Sequence, residues 1–108
     1  MALAEQKCEP CQVGTAPLSH GEAVELAKET PQWTLKDGAI EREFRFKDFR
    51  TAIAFVNQVA DLAEEEGHHP DICIYYSRVR LELSTHKING LSRNDFILAA
   101  KIDRLLRT

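Results

Sequence analysis

The chain has 108 residues, of which 44% are hydrophobic and 29% are charged, and its formal net charge at pH 7 is −3. These values fit one globular domain and exclude a disordered or fibrous chain. Because the apolar runs are short and interrupted by charges, we expect no membrane-spanning helix and no secretory leader. The slightly acidic balance argues against nucleic acid as a direct ligand.

The first 17 residues, MALAEQKCEPCQVGTAP, are largely polar and predict a flexible N-terminal arm before one domain over residues 18–108. Cys8 and Cys11 form a Cys-x-x-Cys pair in this arm. A structural zinc site would need a second ligand pair, and only His20 is near. Redox chemistry is less favoured, since no strand precedes the pair. An odd number of cysteines without a leader indicates a reducing cytoplasm.

A helix and a hairpin are the first predicted elements. Ser19 and Glu22 match a capping box for a helix that ends near Glu29. The runs QWTL and AIEREFRF then flank Lys-Asp-Gly at 36–38, which suits a tight turn. Apolar and charged residues alternate in the second run, so we predict antiparallel strands with one buried face.

A second helix, a second hairpin and a third helix follow. Asp48 suits the N-cap of a helix whose apolar spacing continues until Gly67. The runs ICIYY and VRLELST predict a hairpin that turns at 77–78. The last helix begins at Ser92, with Asp95 completing a capping box. The order α-β-β-α-β-β-α predicts an α+β fold, a four-stranded antiparallel sheet with its helices packed on one face.

The stretch EEEGHHPDI, residues 64–72, begins with three carboxylates at a helix C-terminus, where the helix dipole disfavours negative charge. We interpret Glu65 and Glu66 as a solvated acidic terminus. Glu64 differs because it lies four residues before His68. At that helical spacing its carboxylate is expected to orient the imidazole ring.

Two adjacent histidines follow this helix end. Gly67 suits a left-handed cap, and Pro70 prevents the helix from resuming. His68 and His69 are therefore held on a sharp corner. Neighbouring side chains diverge at such a corner, so we expect one imidazole to transfer protons and the other to hold a ligand.

A further histidine, His86, leaves the second hairpin from its polar side. Its neighbours Ser84, Thr85 and Lys87 offer hydroxyls, backbone amides and a positive charge. Asp95 could accept a proton from His86 and fix its tautomer while also capping its own helix. Three histidines at the ends of regular elements predict one site.

Three histidines beside a carboxylate could instead bind a divalent metal that keeps an open position for water. However, the sequence lacks an i, i+4 histidine pair, and His68 and His69 would coordinate one ion with difficulty. Zinc hydrolysis is therefore the second hypothesis on local chemistry. A serine nucleophile lacks support, since none of Ser77, Ser84 and Ser92 stands in an elbow motif.

The histidine segments belong to a longer joint pattern. Its parts are Glu64-x-x-x-His68-His69-Pro70, Tyr75 or Tyr76, Ser84-Thr85-His86, Gly90-Leu91-Ser92 and Asp95, with Trp33, Gly38, FRFKDF at 44–49 and Val59-Ala60 upstream. This pattern, from about Pro31 to Asp103, closely resembles the pterin-4a-carbinolamine dehydratase family. The resemblance implies an α+β fold, in agreement with the predicted elements.

The resemblance also implies an activity, the dehydration of 4a-hydroxytetrahydropterin to quinonoid dihydropterin in support of aromatic amino acid hydroxylases. It implies no metal and no organic cofactor. His68 and His86 would be the acid/base residues and His69 would grip the pterin, with Glu64 and Asp95 orienting the rings. The implied substrate-binding residues are Gly67, His68, His69, Pro70, Ser84, Thr85, His86 and Lys87.

Members of this family form oligomers, so the resemblance implies a homodimer or homotetramer. Animal members also act as dimerisation cofactors of a homeodomain transcription factor. A binding role through a helical surface is therefore the alternative to an enzyme.

Overall fold

The computed structural model describes residues 2–10 and 14–106. The strands are β1 (Thr34–Lys36), β2 (Ala39–Arg45), β3 (Asp71–Tyr75) and β4 (Arg78–Leu83), and the helices are α1 (His20–Ala27), α2 (Phe49–Glu66) and α3 (Arg93–Leu105). Two short 3-10 turns, Leu3–Glu5 and His86–Ile88, lie outside them. The predicted order α-β-β-α-β-β-α is confirmed.

The four strands form one antiparallel sheet in the order β1-β2-β4-β3. The register between β2 and β4 pairs Ile40 with Leu83 and Phe44 with Val79, so the apolar faces of the two strands coincide. Helices α2 and α3 cover this face, which confirms the predicted α+β fold. Within the described residues, no helix has the length and apolarity needed to cross a membrane.

The helix ends lie where the predicted caps place them. Ser19 Oγ accepts the backbone N–H of Glu22 at 3.2 Å, and Asp48 Oδ1 accepts that of Thr51 at 2.8 Å. Gly67 ends α2 with a φ of 67°, a conformation that costs glycine little. This left-handed cap directs the two following histidines away from the helix axis.

The second hairpin turns one residue earlier than predicted. Tyr75 pairs with Arg78, so Tyr76 and Ser77 form the turn. Tyr76 has a φ of 58°, which is unusual for a bulky residue, and its ring stacks on Phe49 with centroids 6.5 Å apart. No glycine marks this turn, so the sequence gives little signal for its position.

The leader differs from the predicted flexible arm over residues 2–10. Leu3 is 2% exposed and joins the core, and the short Leu3–Glu5 turn lies against α3. The free energy gained by burying Leu3 offsets part of the conformational entropy that this polar segment loses when it is ordered. Cys11 lies outside the described residues, so the interpretation of the Cys-x-x-Cys pair stays a prediction. The described residues contain no cluster of three or more histidine, cysteine or acidic side chains placed to hold a metal ion.

Candidate active site

His68 is joined to a buried aspartate of α3. Its Nε2 lies 2.6 Å from Asp95 Oδ1, and its backbone N–H donates to Ala63 O at 3.2 Å as part of the helix cap. Asp95 is fully buried, whereas the His68 side chain is 13% exposed. One edge of the imidazole is therefore fixed from within the protein.

The other oxygen of Asp95 is fixed by two further donors. Asp95 Oδ2 accepts the hydroxyl of Thr85 and the backbone N–H of Ser92, each at 2.9 Å. Since Thr85 donates to Asp95, the Ser92 hydroxyl donates to Thr85 across 2.8 Å. We assign the ring hydrogen of His68 to Nε2 from this contact, because an ionised carboxylate only accepts hydrogen bonds. Nδ1 of the neutral ring is then the proton acceptor.

The histidine and carboxylate partners differ from those predicted. Glu64 Oε2 lies 2.5 Å from Nε2 of His69, not of His68, and both of these side chains are exposed. The predicted i, i+4 contact assumes a continuous helix, but Gly67 changes the direction of the chain before His68. Asp95 contacts His68 rather than His86, and its second oxygen is bonded to Thr85, the residue before His86.

All three predicted histidines line one cavity of about 480 Å³. His68 and His69 enter it from the end of α2, and the exposed His86 enters from the 3-10 turn after β4. The other predicted site residues along its wall are Glu64, Gly67, Ser84, Thr85 and Lys87. The topology thus brings the HHP and STH segments together.

Two predicted site residues lie outside this wall. Asp95 stands behind Thr85 and acts on the cavity only through its neighbours. Pro70 follows His69 at the corner and is not among the described residues that line the cavity, so its substrate contact stays a prediction. Ser84 Oγ, although at the wall, donates to Gly38 O at 2.8 Å and ties the site to the first hairpin.

The prediction that Glu66 is solvated is wrong. Its side chain is 1% exposed, and its carboxylate accepts Lys101 Nζ at 2.8 Å and the backbone N–H of Cys8 at 3.0 Å. Burial opposes ionisation, but the hydrogen bonds from Lys101 and Cys8 hold the pKa of Glu66 below its usual value of 4.5. These contacts offset the unfavourable position of a carboxylate at a helix C-terminus.

The lowered pKa of Glu66 predicts an acid-sensitive contribution to stability. A carboxyl group of this kind stabilises the fold above its usual pKa of 4.5, and this contribution is lost as the pH falls through the lowered value. We expect Glu66→Gln to lower the free energy of unfolding at pH 7 and to shrink its fall between pH 7 and pH 3, measured by urea denaturation. Glu65→Gln, at an exposed neighbour, is the matched control and should follow the wild type. Equal acid dependence in all three proteins would contradict the assignment.

Part of the cavity wall was not predicted from the sequence. Cys8, Glu9 and Pro10 of the leader and Asn94 of α3 also line it. Burial, with the nearby charge of Glu66, raises the pKa of the Cys8 thiol to about 12, so this thiol is protonated at neutral pH. The only sequence signal for this wall is Leu3, which anchors an otherwise polar segment.

Residues 16–105 match the protein family described as pterin 4 alpha carbinolamine dehydratase. A chain of Rubrobacter xylanophilus whose name assigns it to this enzyme is 49% identical over 104 residues, covering 95% of this chain and 97% of its own. A chain of Methylococcus capsulatus with the same assignment is 50% identical over 106 residues, covering 96% and 93%.

Solved structures show the same fold. The crystal structure of a transcriptional coactivator/pterin dehydratase from Brucella melitensis superposes with a TM-score of 0.78 at 36% identity, covering 82% of this chain and 97% of that one. A pterin dehydratase-like protein identified as a RuBisCO assembly factor in the alpha-carboxysome gives 0.56 at 26% identity, covering 68% and 84%. Fold and sequence thus define an α+β protein similar to hydro-lyases. The chain belongs to the pterin-4a-carbinolamine dehydratase family.

Proposed function

We propose that the chain dehydrates 4a-hydroxytetrahydropterin to quinonoid dihydropterin and water by histidine acid/base catalysis. The observation that carries the proposal is the convergence of three histidines on one cavity, with His68 held by the buried Asp95. Membership of the family supports the choice of substrate. The cavity, at about 480 Å³, is of a size that suits a bicyclic ligand.

The proposed reaction needs two proton transfers and no redox step. The bond between C4a and the hydroxyl oxygen breaks, the leaving oxygen gains a proton to become water, and the ring nitrogen N5 loses its proton as the C4a=N5 double bond forms. Imidazoles can serve as donor and acceptor near neutral pH. Since no electrons are exchanged with another molecule, the stoichiometry requires no electron carrier.

The site geometry suggests how the histidines divide these steps. His68 presents Nδ1 as an acceptor because Asp95 holds the hydrogen on Nε2, so we assign it as the base that takes the ring-nitrogen proton. His86, which lines the same cavity, is assigned as the acid that protonates the leaving hydroxyl. His69, paired with Glu64, holds the pterin.

A stopped-flow dehydration assay on the purified chain tests this function. We expect quinonoid dihydropterin to form from the carbinolamine faster than in buffer that contains free imidazole at the same histidine concentration. A rate equal to that buffer control would refute the proposal. A parallel assay after treatment with EDTA tests the metal-hydrolase hypothesis. The proposed mechanism predicts the full rate after this treatment, whereas a metal-dependent enzyme would lose activity.

The family also suggests a setting for this activity. We propose that the chain works in the cytoplasm and takes its substrate from an aromatic amino acid hydroxylase. The support for this setting is the resemblance together with the reaction chemistry, since a hydroxylase that oxidises a tetrahydropterin releases the 4a-hydroxy compound. Addition of the chain to such a hydroxylase should raise its steady-state turnover at limiting pterin.

We further propose that the chain forms a homodimer or homotetramer. Within the described residues, β3 pairs with β4 alone, so its outer edge offers free backbone groups to a second copy. Ile74 and Tyr75 on this strand are 40% and 47% exposed. Sedimentation analysis should show a dimer or larger species, and Ile74→Lys should shift it toward the monomer. A wild-type monomer at all concentrations would contradict this proposal.

A further inference from the structure

The leader contributes a wall to the cavity that the histidines line. Cys8, Glu9 and Pro10 line the same cavity as His68 and His69. This segment is distant from the histidines in sequence, and it lies before residue 16, where the match to the family begins. The wall therefore lies outside the residues that the family match covers, although the alignments with the relatives from Rubrobacter xylanophilus and Methylococcus capsulatus extend over 95% and 96% of the chain.

In addition to the buried Leu3, two side chains bind the backbone of the leader beside the cavity. Glu66 accepts the backbone N–H of Cys8 at 3.0 Å. The side-chain amide of Asn94 makes two hydrogen bonds to the backbone of Glu9. Its Oδ1 accepts the Glu9 N–H at 2.9 Å, and its Nδ2 donates to the Glu9 carbonyl at 2.5 Å. Side-chain amides that bind both groups of one residue fix its position as a neighbouring strand would.

Both anchors are adjacent in sequence to residues of the proposed site. Glu66 lies two residues before His68, and Asn94 immediately precedes Asp95. Lys101 of α3 in turn neutralises Glu66 at 2.8 Å, so the anchor is bound to the same helix that carries Asp95. The position of the leader is thus set by the two helices that set the position of His68.

We propose that Cys8–Pro10 form a wall of the substrate-binding cavity, and that Glu66 and Asn94 are positioning residues that hold this wall. The inference rests on the proposed function in that a pterin is the occupant. The N–H of Cys8 and both backbone groups of Glu9 are already bonded to the anchors, so the wall contributes shape and excludes water. Because His68 and His86 are held by other elements, loss of the wall weakens binding more than it slows proton transfer.

Two variants release the wall in different ways. Asn94→Ala removes both hydrogen bonds to Glu9 from the α3 side. Glu9→Pro removes the leader N–H and leaves α3 unchanged. Asn57→Ala, at an exposed position in the middle of α2, is the matched control for the loss of an asparagine side chain. Agreement between the first two variants separates an effect of the leader from damage to the helix that carries Asp95.

The thiol of Cys8 reports directly on the leader. The substitutions Cys11→Ser and Cys73→Ser leave Cys8 as the one thiol that iodoacetamide can alkylate. Cys8 is partly buried and its pKa is raised to about 12, so this alkylation should be slow. We expect Asn94→Ala and Glu9→Pro each to accelerate this alkylation at least about fivefold, since release of the leader exposes the thiol and separates it from Glu66.

The same variants are expected to raise KM for the carbinolamine about three- to tenfold while kcat stays within about twofold of the wild type. The dissociation constant of 7,8-dihydrobiopterin, measured by fluorescence quenching, should rise in parallel. Faster alkylation with an unchanged KM and dissociation constant would contradict the proposal that Cys8–Pro10 form a wall of the binding cavity. Unchanged alkylation in both variants would contradict the role of the anchors in holding this segment.

The binding measurement separates this inference from the proposed reaction. A wild-type chain that binds 7,8-dihydrobiopterin but does not accelerate dehydration would refute the reaction, and the weaker binding of the two variants would still support the wall. A wild-type chain that accelerates dehydration, with variants that match it in KM and dissociation constant, would refute the wall alone. If the wild type does not bind 7,8-dihydrobiopterin, the proposal that Cys8–Pro10 form part of a pterin-binding site is contradicted.

Discussion

Dehydration of the carbinolamine is expected to slow by about 10²- to 10⁴-fold when His68 or His86 is replaced by alanine, the usual contribution of a positioned acid or base. Each variant removes one of the two proton transfers that the reaction needs, so each loss should fall on kcat. Stopped-flow rates at saturating carbinolamine measure it. Both side chains line the cavity, and a far-UV spectrum of each variant verifies that the fold persists.

His20→Ala is the matched control for these variants. His20 is exposed at the start of α1 and lines a different cavity, between α1 and the first hairpin. Its replacement should leave kcat and KM unchanged. Full activity in both His68→Ala and His86→Ala would show that the acid/base assignment is wrong, even if the wild type proves to be a dehydratase.

The second large effect is expected at Asp95. Asp95→Asn keeps the shape of the side chain but replaces a charged acceptor by a neutral group that can also donate, so His68 is no longer held with its hydrogen on Nε2. Loss of such an orienting carboxylate typically costs about 10- to 100-fold in activity. We expect a fall of this size in kcat, and also a lower midpoint of urea unfolding, because Thr85 and Ser92 donate to the same buried carboxylate.

The exposed pair of His69 and Glu64 provides the control for the buried pair of His68 and Asp95. Glu64→Gln removes the partner of His69, but both side chains are exposed, and exposed pairs of this kind contribute little. We therefore expect kcat within about twofold of the wild type for Glu64→Gln. A larger loss from Glu64→Gln than from Asp95→Asn would reverse the roles of the two pairs.

The elements of the fold could be predicted because each depends on a few neighbouring residues. Ser19 and Asp48 cap their helices by bonds to residues three positions later. The alternating pattern of β4 places Val79, Leu81 and Leu83 on the buried face, where all three are 0% exposed. Local geometry also identified Gly67 as the end of α2.

The pairings within the site could not be predicted from spacing alone. His68 and Asp95 are 27 residues apart, and their contact depends on the direction of the chain after the left-handed Gly67. Glu66 is held by Cys8, 58 residues away, and by Lys101, 35 residues away. A charged residue at a helix end has no local pattern that separates a solvated carboxylate from one with distant partners. The sequence therefore predicted which segments meet, but not which atoms bind.

The central position of β4 in the sheet has a consequence for how the cavity opens. Strands bonded on both sides exchange their amide hydrogens only through near-global unfolding, whereas a segment held by a few bonds exchanges through local opening. His86 follows β4, which pairs with β2 and with β3, while Cys8–Pro10 depend mainly on Glu66 and Asn94. We therefore expect the amide hydrogens of β4 to exchange only through near-global unfolding, and those of Cys8 and Glu9 to exchange through local opening, so the two sides of the cavity differ in local stability.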